Sequence, residues 1–290
     1  MAIYNYKIKK GGMNVLDFIS SFFLGKEKIK YYKNTKGSVL INGNIAKLSD
    51  VLETNDVLTL QNEDKLDLKP LKKKINIIYE DDHYLIINKP INILVHSDGN
   101  QNVDNNLVNA VAYYYQNKGL DIPVMYCHRL DKDTSGLMIF AKDPLTESYI
   151  KALIESRELH REYLAIASGV IDKNVVINKG IGRDRHVNGK YRVSPDGKEA
   201  ITLVDVYKKF KKYTAVLVNL KTGRTHQIRV HMSSIGHPLL GDTLYGGNLN
   251  LMKRQALHSY HVTFFDPHSE KNMEFFAKIP FDMAKLLELN

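Results

Sequence analysis

The chain has 290 residues, 43% hydrophobic and 25% charged, the make-up of a globular protein with room for one large domain and a small one. It holds no apolar run of bilayer-spanning length, and a single cysteine, Cys127, excludes an internal disulfide and any multi-cysteine zinc site. A formal net charge of +9 favours a polyanionic partner: RNA, DNA or an anionic membrane surface.

Near the N-terminus, Lys7, Lys9 and Lys10 precede an apolar stretch, so a secretory leader has to be weighed. Asp17 interrupts that stretch and Gly11-Gly12 separate it from the charges, and a cytoplasmic location is expected instead. Val15, Leu16, Ile19, Phe22 and Phe23 stand at helical spacing within 14–24. Val39-Leu40-Ile41 and Ile45 flank Asn42-Gly43, a strong hairpin signal, and Val57–Leu60 reads as a closing strand. Residues 1–61 therefore read as a small α/β domain, and 62–74, ending in Lys72-Lys73-Lys74, as a linker. From 75 to 290 strand-like and helix-like runs mix irregularly, which argues for an α+β domain. A helix is expected over about 104–117, closed by Gly119, and another from the Asp143 cap and Pro144 onward. Strands are expected at 84–87, 137–141, 163–167 and 214–220, and Leu137–Ala141 is apolar on both faces, as a central buried strand requires.

The segment His128-Arg129-Leu130-Asp131-Lys132-Asp133-Thr134-Ser135-Gly136 leads into that buried strand, where a rigid scaffold presents reactive groups. If 128–131 is extended, Arg129 and Asp131 share one face while Leu130 turns to the core. An Asp-rich turn capping a strand is the competing reading. Residues 180–200 are basic and glycine-bearing, and Arg183, Arg185, Lys190 and Arg192 suit either an RNA backbone or a solvated hairpin. Thr225 reads as a helix N-cap and Gly236 as the residue past its end, which puts Arg229 in the first turns. His226, His231 and His237 lie five and six residues apart and share no helix face, so no metal site is expected. Asp131 and Asp133 sit too close in sequence to be read as a glycosidase pair. Neither a phosphate-binding loop nor a dinucleotide fingerprint is present, and no cofactor is expected.

HRLDKDTSGLMIFAK (128–142) resembles the catalytic motif of the RluA-type pseudouridine synthases. Four further segments are similar to that family in its order: YEDDHYLIINKPINILVH (79–96), REYLAIASG (161–169), KTGRTHQIRVHMSSIGHPLLGD (221–242) and QALHSYHVTFFDPHS (255–269). The resemblance covers about 75–290. It implies a mixed, largely antiparallel central sheet with flanking helices, and isomerisation of uridine to pseudouridine in structured RNA. It also implies Asp131 as the catalytic carboxylate, Tyr163 as a platform for the target base and Arg229 as the partner of Asp131, with Arg224 as rival. Arg129 is implied to fill the space vacated by an extruded base, and Arg183, Arg185, Arg192 and Arg224 to contact RNA. VLINGNIAKLSDVLETNDVLTL (39–60) resembles half of a small RNA-binding module, although Lys26–Lys33 depart from that module's basic Arg-Ser element. Large-subunit ribosomal RNA is the favoured substrate, transfer RNA the second. A non-catalytic RNA-binding or ribosome-assembly module and a nucleoside hydrolase are the rival functions. No membrane partner is expected, and a monomer suffices.

Overall fold

The computed structural model describes residues 1–63, 68–97 and 105–288. Strand β1 (Ala2–Lys7) alternates buried and exposed residues, turning Tyr4 and Tyr6 inward. Helices α1 (Val15–Ser21) and α2 (Lys26–Asn34) follow, and the Asn14 side chain caps the first by accepting from Asp17 N at 2.8 Å. Strands β2 (Val39–Ile41) and β3 (Asn44–Ile45) meet at Asn42-Gly43, whose φ angles of 50° and 81° are the positive pair a tight two-residue hairpin needs. Strand β4 (Val57–Asn62) pairs antiparallel with both β1 and β2, giving the order β1-β4-β2-β3. Part of the expected linker, 64–67, lies outside the described residues.

Next come β5 (Ile77–Glu80), β6 (Tyr84–Lys89), α3 (Leu107–Asn117), β7 (Met125–Tyr126), β8 (Ser135–Ala141) and α4 (Pro144–Ser156). Helix α3 starts behind an Asn106 cap, and residue 104, its expected first residue, lies outside the described residues. Asp143 caps α4 as expected, its Oδ1 accepting from Thr146 N at 2.9 Å. All seven residues of β8 are buried, in line with its two apolar faces.

The remaining elements are β9 (His160–Ser168), β10 (Val175–Asn178), β11 (Ile181–Arg183), β12 (Tyr191–Val193), β13 (Ile201–Lys209) and β14 (Tyr213–Leu220). They are followed by α5 (Gln227–Ser234), β15 (Leu257–Asp266), β16 (Lys271–Phe276) and α6 (Phe281–Leu287). The large sheet runs β10-β13-β14-β9-β15-β8-β6-β5, with β16 on β15 and β7 on β8. Pairing is antiparallel at β9–β14, β13–β14 and β15–β9, and parallel where His258 and Ser259 of β15 meet Ser135 and Gly136 of β8. The sheet is thus mixed and largely antiparallel, as expected.

Contacts divide the chain into two compact units: Met1–Ile86 with His96–Arg129 and Ile139–Ala152, and Ile87–Val95 with Leu130–Met138 and Leu153–Asn290. In the second unit one core gathers Leu164, Ile166, Leu240, Met252, Met283 and Leu287. A smaller one joins Ile181, Ala200, Val230 and Tyr245. Among the described residues no helix is long and apolar enough to cross a membrane.

Candidate active site

Asp131 sits in the turn that delivers the chain into β8. Leu130 is buried, as its neighbour's outward role requires, and the Asp131 carbonyl accepts from Thr134 N at 3.1 Å to close the turn. At Gly136 the φ of 116° and the Ser259 backbone, which any Cβ would overlap, leave room for glycine alone. The Thr134 hydroxyl accepts from Gln255 Nε2 at 2.8 Å, and the same amide lies 3.4 Å from Asp131 Oδ2. The carboxylate is held on one side and a quarter exposed on the other, 25% by side chain.

Helix α5 supplies the countercharge. Its start is one residue later than the sequence implied: the N-cap is His226, not Thr225, with φ 57° and no side-chain cap hydrogen bond. Gln227 replaces the missing cap with a staple. Its Nε2 donates to Ile201 O and Thr202 Oγ1, both at 3.0 Å, while its Oε1 accepts from the Thr222 hydroxyl and from Arg224 N. One turn into this anchored helix stands Arg229. Its Nη1 donates to Asp131 Oδ2 at 3.0 Å, as expected for the motif's second arginine. The rival, Arg224, instead donates from Nε to Glu199 O at 2.9 Å.

The other two faces of the Arg229 fork go to Asp242: Nε to Oδ2 at 2.7 Å and Nη2 to Oδ1 at 2.9 Å. Asp242 is almost wholly enclosed, its side chain 1% exposed, and the guanidinium centre lies 4.9 Å over the Tyr245 ring. Burial works against the charge on Arg229, but the hydrogen bond to Asp242 and the pull of both carboxylates outweigh it and raise its pKa. The loop carrying Asp242 is shaped by glycine: a side chain on Gly241 would strike the Arg254 carbonyl, and one on Gly247 the Leu239 carbonyl. One guanidinium therefore serves two carboxylates, two donors locked inward and one offered to Asp131.

His226 and Tyr245 complete the wall. His226 Nε2 is 3.8 Å from Asp131 Oδ2, and its Nδ1 is 2.9 Å from the Tyr245 hydroxyl, which also accepts from Tyr191 N. Burial lowers the imidazole pKa despite the opposite pull of Asp131, so the ring is neutral at pH 7. Burial likewise lifts the Tyr245 phenol to about 12. Tyr163 lies in β9, in register with Val218 on one side and Ser259 on the other, and is 4% exposed. Burial raises its phenol pKa, Arg161 acts against that and Asp131 adds to it, so the ring is within electrostatic reach of both.

Of the remaining expected residues, Arg183, Arg185 and Arg192 are exposed on the β11–β12 hairpin, where Arg183 pairs in register with Tyr191. Arg129 belongs to the other unit, where its Nη1 lies 2.9 Å from His96 Nε2 and that imidazole stacks on Tyr126. The three histidines weighed as metal ligands each have hydrogen-bonded partners: His226 with Tyr245, His231 with Thr202 and the Lys179 carbonyl, His237 with the Ser168 carbonyl. Sequence reasoning passed over Asp242, Tyr245, Gln255 and Arg161. The one available signal was Gly241-Asp242, an acid behind a glycine in an apolar stretch.

A family description, RNA pseudouridylate synthase, matches residues 83–234, from the start of β6 to the end of α5. The chain belongs to this family. It is 41% identical over 252 residues to "Uncharacterized RNA pseudouridine synthase YhcT" of Bacillus subtilis, covering 85% of this chain and 81% of the relative. It is 38% identical over 240 residues to "Ribosomal large subunit pseudouridine synthase D" of Haemophilus ducreyi, covering 78% and 74%. Among solved structures, "Human RNA Pseudouridylate Synthase Domain Containing 1" matches with a TM-score of 0.59 at 25% identity, covering 72% of this chain and 84% of that one. The protein is accordingly an isomerase that converts uridine to pseudouridine in RNA.

Proposed function

We propose that Asp131 is the catalytic carboxylate, that Arg229 and Tyr163 serve it, and that the substrate is large-subunit ribosomal RNA. The observation that carries the reading is the 3.0 Å bond from Arg229 to a partly exposed Asp131. A carboxylate facing RNA phosphates is repelled by them, and a fixed guanidinium keeps it ionised and aimed. Among the described residues the contacts of Asp131 fall on Oδ2, so Oδ1 is the oxygen that meets the nucleoside.

A uridine in folded RNA has to leave its stack to reach that oxygen, at a cost of a few kcal/mol. Arg129 takes the vacated place, its charged plane suited to stacking on bases. Asp131 then acts as a nucleophile, at C6 of the base or C1′ of the ribose. The N1–C1′ bond breaks, the uracil turns, and C5 joins C1′. C5 gives up one proton and N1 gains one, so atoms and electrons balance with no redox partner. Tyr163 borders the turning ring, and the neutral His226 offers the base an uncharged polar edge. Arg183, Arg185, Arg192 and Arg224 hold RNA phosphates.

The names of relatives that act on the ribosomal large subunit support ribosomal RNA over transfer RNA, and with it a cytoplasmic location. Residues 1–61 act as an accessory RNA-binding domain through the lysines of α2, joined by a linker at 62–74 to a catalytic domain at 75–290. The test is incubation of wild type and Asp131→Asn with unmodified ribosomal RNA. Pseudouridine should form with the wild type alone, while both bind RNA comparably. Product from the variant at the wild-type rate would end the assignment of Asp131, and transfer RNA converted in preference would replace the substrate.

A further inference from the structure

Beside the catalytic wall lies a cavity of about 450 Å³, within the size range of sites for small ligands. Its lining includes Gly182, Arg183, Tyr191, Asp196, Lys198 and Arg224. Much of its floor is bare backbone. Gly197 lies against Ile181 so closely that a Cβ there would stand 2.5 Å from Ile181 N. Lys198 is fastened to the same strand, its N–H donating to Ile181 O and its carbonyl accepting from Ile181 N, both at 2.9 Å. The Arg224 guanidinium is oriented through its Nε bond to Glu199 O, which leaves both Nη groups to point elsewhere.

The charges do not balance. Arg183, Lys198 and Arg224 outnumber the one carboxylate of the lining, Asp196, and among the described residues none of the three forms an ion pair. Behind Gly223, which also lines the cavity, sits a fourth cation, Arg161. Its Nη2 would be 3.5 Å from a Cβ on Gly223. Arg161 is only 9% exposed, and its Nε finds no hydrogen-bond partner. A buried guanidinium with an unsatisfied N–H is costly, and so are like charges gathered around one hollow. An anion relieves both.

Tyr191 ties the cavity to the reaction. Its ring lines the hollow and meets the His226 ring edge-on at 5.5 Å, and His226 faces Asp131 from its other side. We infer that this cavity is a nucleotide subsite that clamps one RNA phosphodiester next to the extruded uridine. Arg183, Lys198 and Arg224 are its ligands, with Arg161 behind them. The inference rests on the proposed function, and it separates these residues from Arg185 and Arg192, which lie outside the cavity lining and hold phosphates elsewhere on the RNA.

The test is a phosphate-by-residue cycle. A synthetic RNA stem–loop that the wild-type protein converts is made with a single neutral methylphosphonate at each position flanking the target uridine. Its binding is measured to wild type, Lys198→Ala, Arg224→Ala and Arg192→Ala. One methylphosphonate position should weaken wild-type binding about tenfold and cost Lys198→Ala and Arg224→Ala little further. The same position should still cost Arg192→Ala the full factor. Lys198→Arg should behave as wild type. Each lost contact should lower the slope of log affinity against log salt by about one. Equal losses at every position, or the same loss in the Lys198 and Arg224 variants as in wild type, would overturn the subsite. If no RNA is converted by the wild type, the proposed function fails instead.

Discussion

Replacing Asp242 by Asn removes the charge that holds Arg229 from behind while keeping the side chain's volume. The pair is enclosed, with side chains 8% and 1% exposed, so water cannot replace the lost partner. Breaking a buried ion pair from one side costs about 3–5 kcal/mol. Arg229 retains Asp131 through Nη1, which places the expected loss at the lower end, about 3 kcal/mol. With a urea slope near 3 kcal/mol per molar, the unfolding midpoint should fall by about 1 M. The freed fork can then turn both Nη groups onto Asp131, which blunts the oxygen proposed to act on the nucleoside. Strengthening that pairing by one charge-assisted bond, about 1.5–3 kcal/mol, should slow kcat roughly ten- to hundred-fold. Affinity for RNA should hardly change, because Asp242 faces away from solvent. Urea melts and single-turnover assays on Asp242→Asn measure both effects. A variant as stable and as fast as wild type would refute the shared-fork argument.

Gly136→Ala forces a Cβ into the Ser259 backbone at a φ of 116°, where β8 and β15 run parallel. Strain and overpacking together cost about 3 kcal/mol or more, so the melting temperature should drop on the order of 10 °C; a wild-type melting curve would contradict the close-approach reading. His258, bonded at 2.9 Å to the Ser135 hydroxyl, is held neutral by burial, which lowers its pKa from 6.5 to about 4. Between those values the unfolded chain binds more protons than the folded one, so stability is full above pH 6.5 and falls on acidification. That loss is about 2 kcal/mol by pH 5. The lowered pKa values of His226 and His231 act in the same direction. Urea midpoints at pH 7 and pH 5 should show the loss, and a His258→Asn variant should lose part of the slope; an unaltered slope would discount His258.

Local patterns carried a good deal of this protein. The Asn42-Gly43 hairpin, the Asp143-Pro144 start of α4 and the buried strand β8 are all written within a few residues, because turn dihedrals, caps and two-faced burial are local demands. The motif around Asp131 and its pairing with Arg229 were legible through resemblance alone; the residues by themselves favoured a strand-capping turn. Strand β1 went unread despite its alternating residues, since Lys7 with Lys9 and Lys10 beyond it looked like the head of a leader and its partner β4 lies some fifty residues on. The roles of Asp242, Tyr245 and His226 around Asp131 were hard to read for a related reason. A buried acid becomes visible only when the fold brings a guanidinium to it, and α5 and the Gly241–Gly247 loop meet through tertiary packing. The sequence, through its resemblance, singled out Asp131 among the carboxylates. The folded chain decided that this carboxylate shares the Arg229 guanidinium with Asp242, because enclosure in a low-dielectric interior favours pairing a buried cation with anions on more than one side.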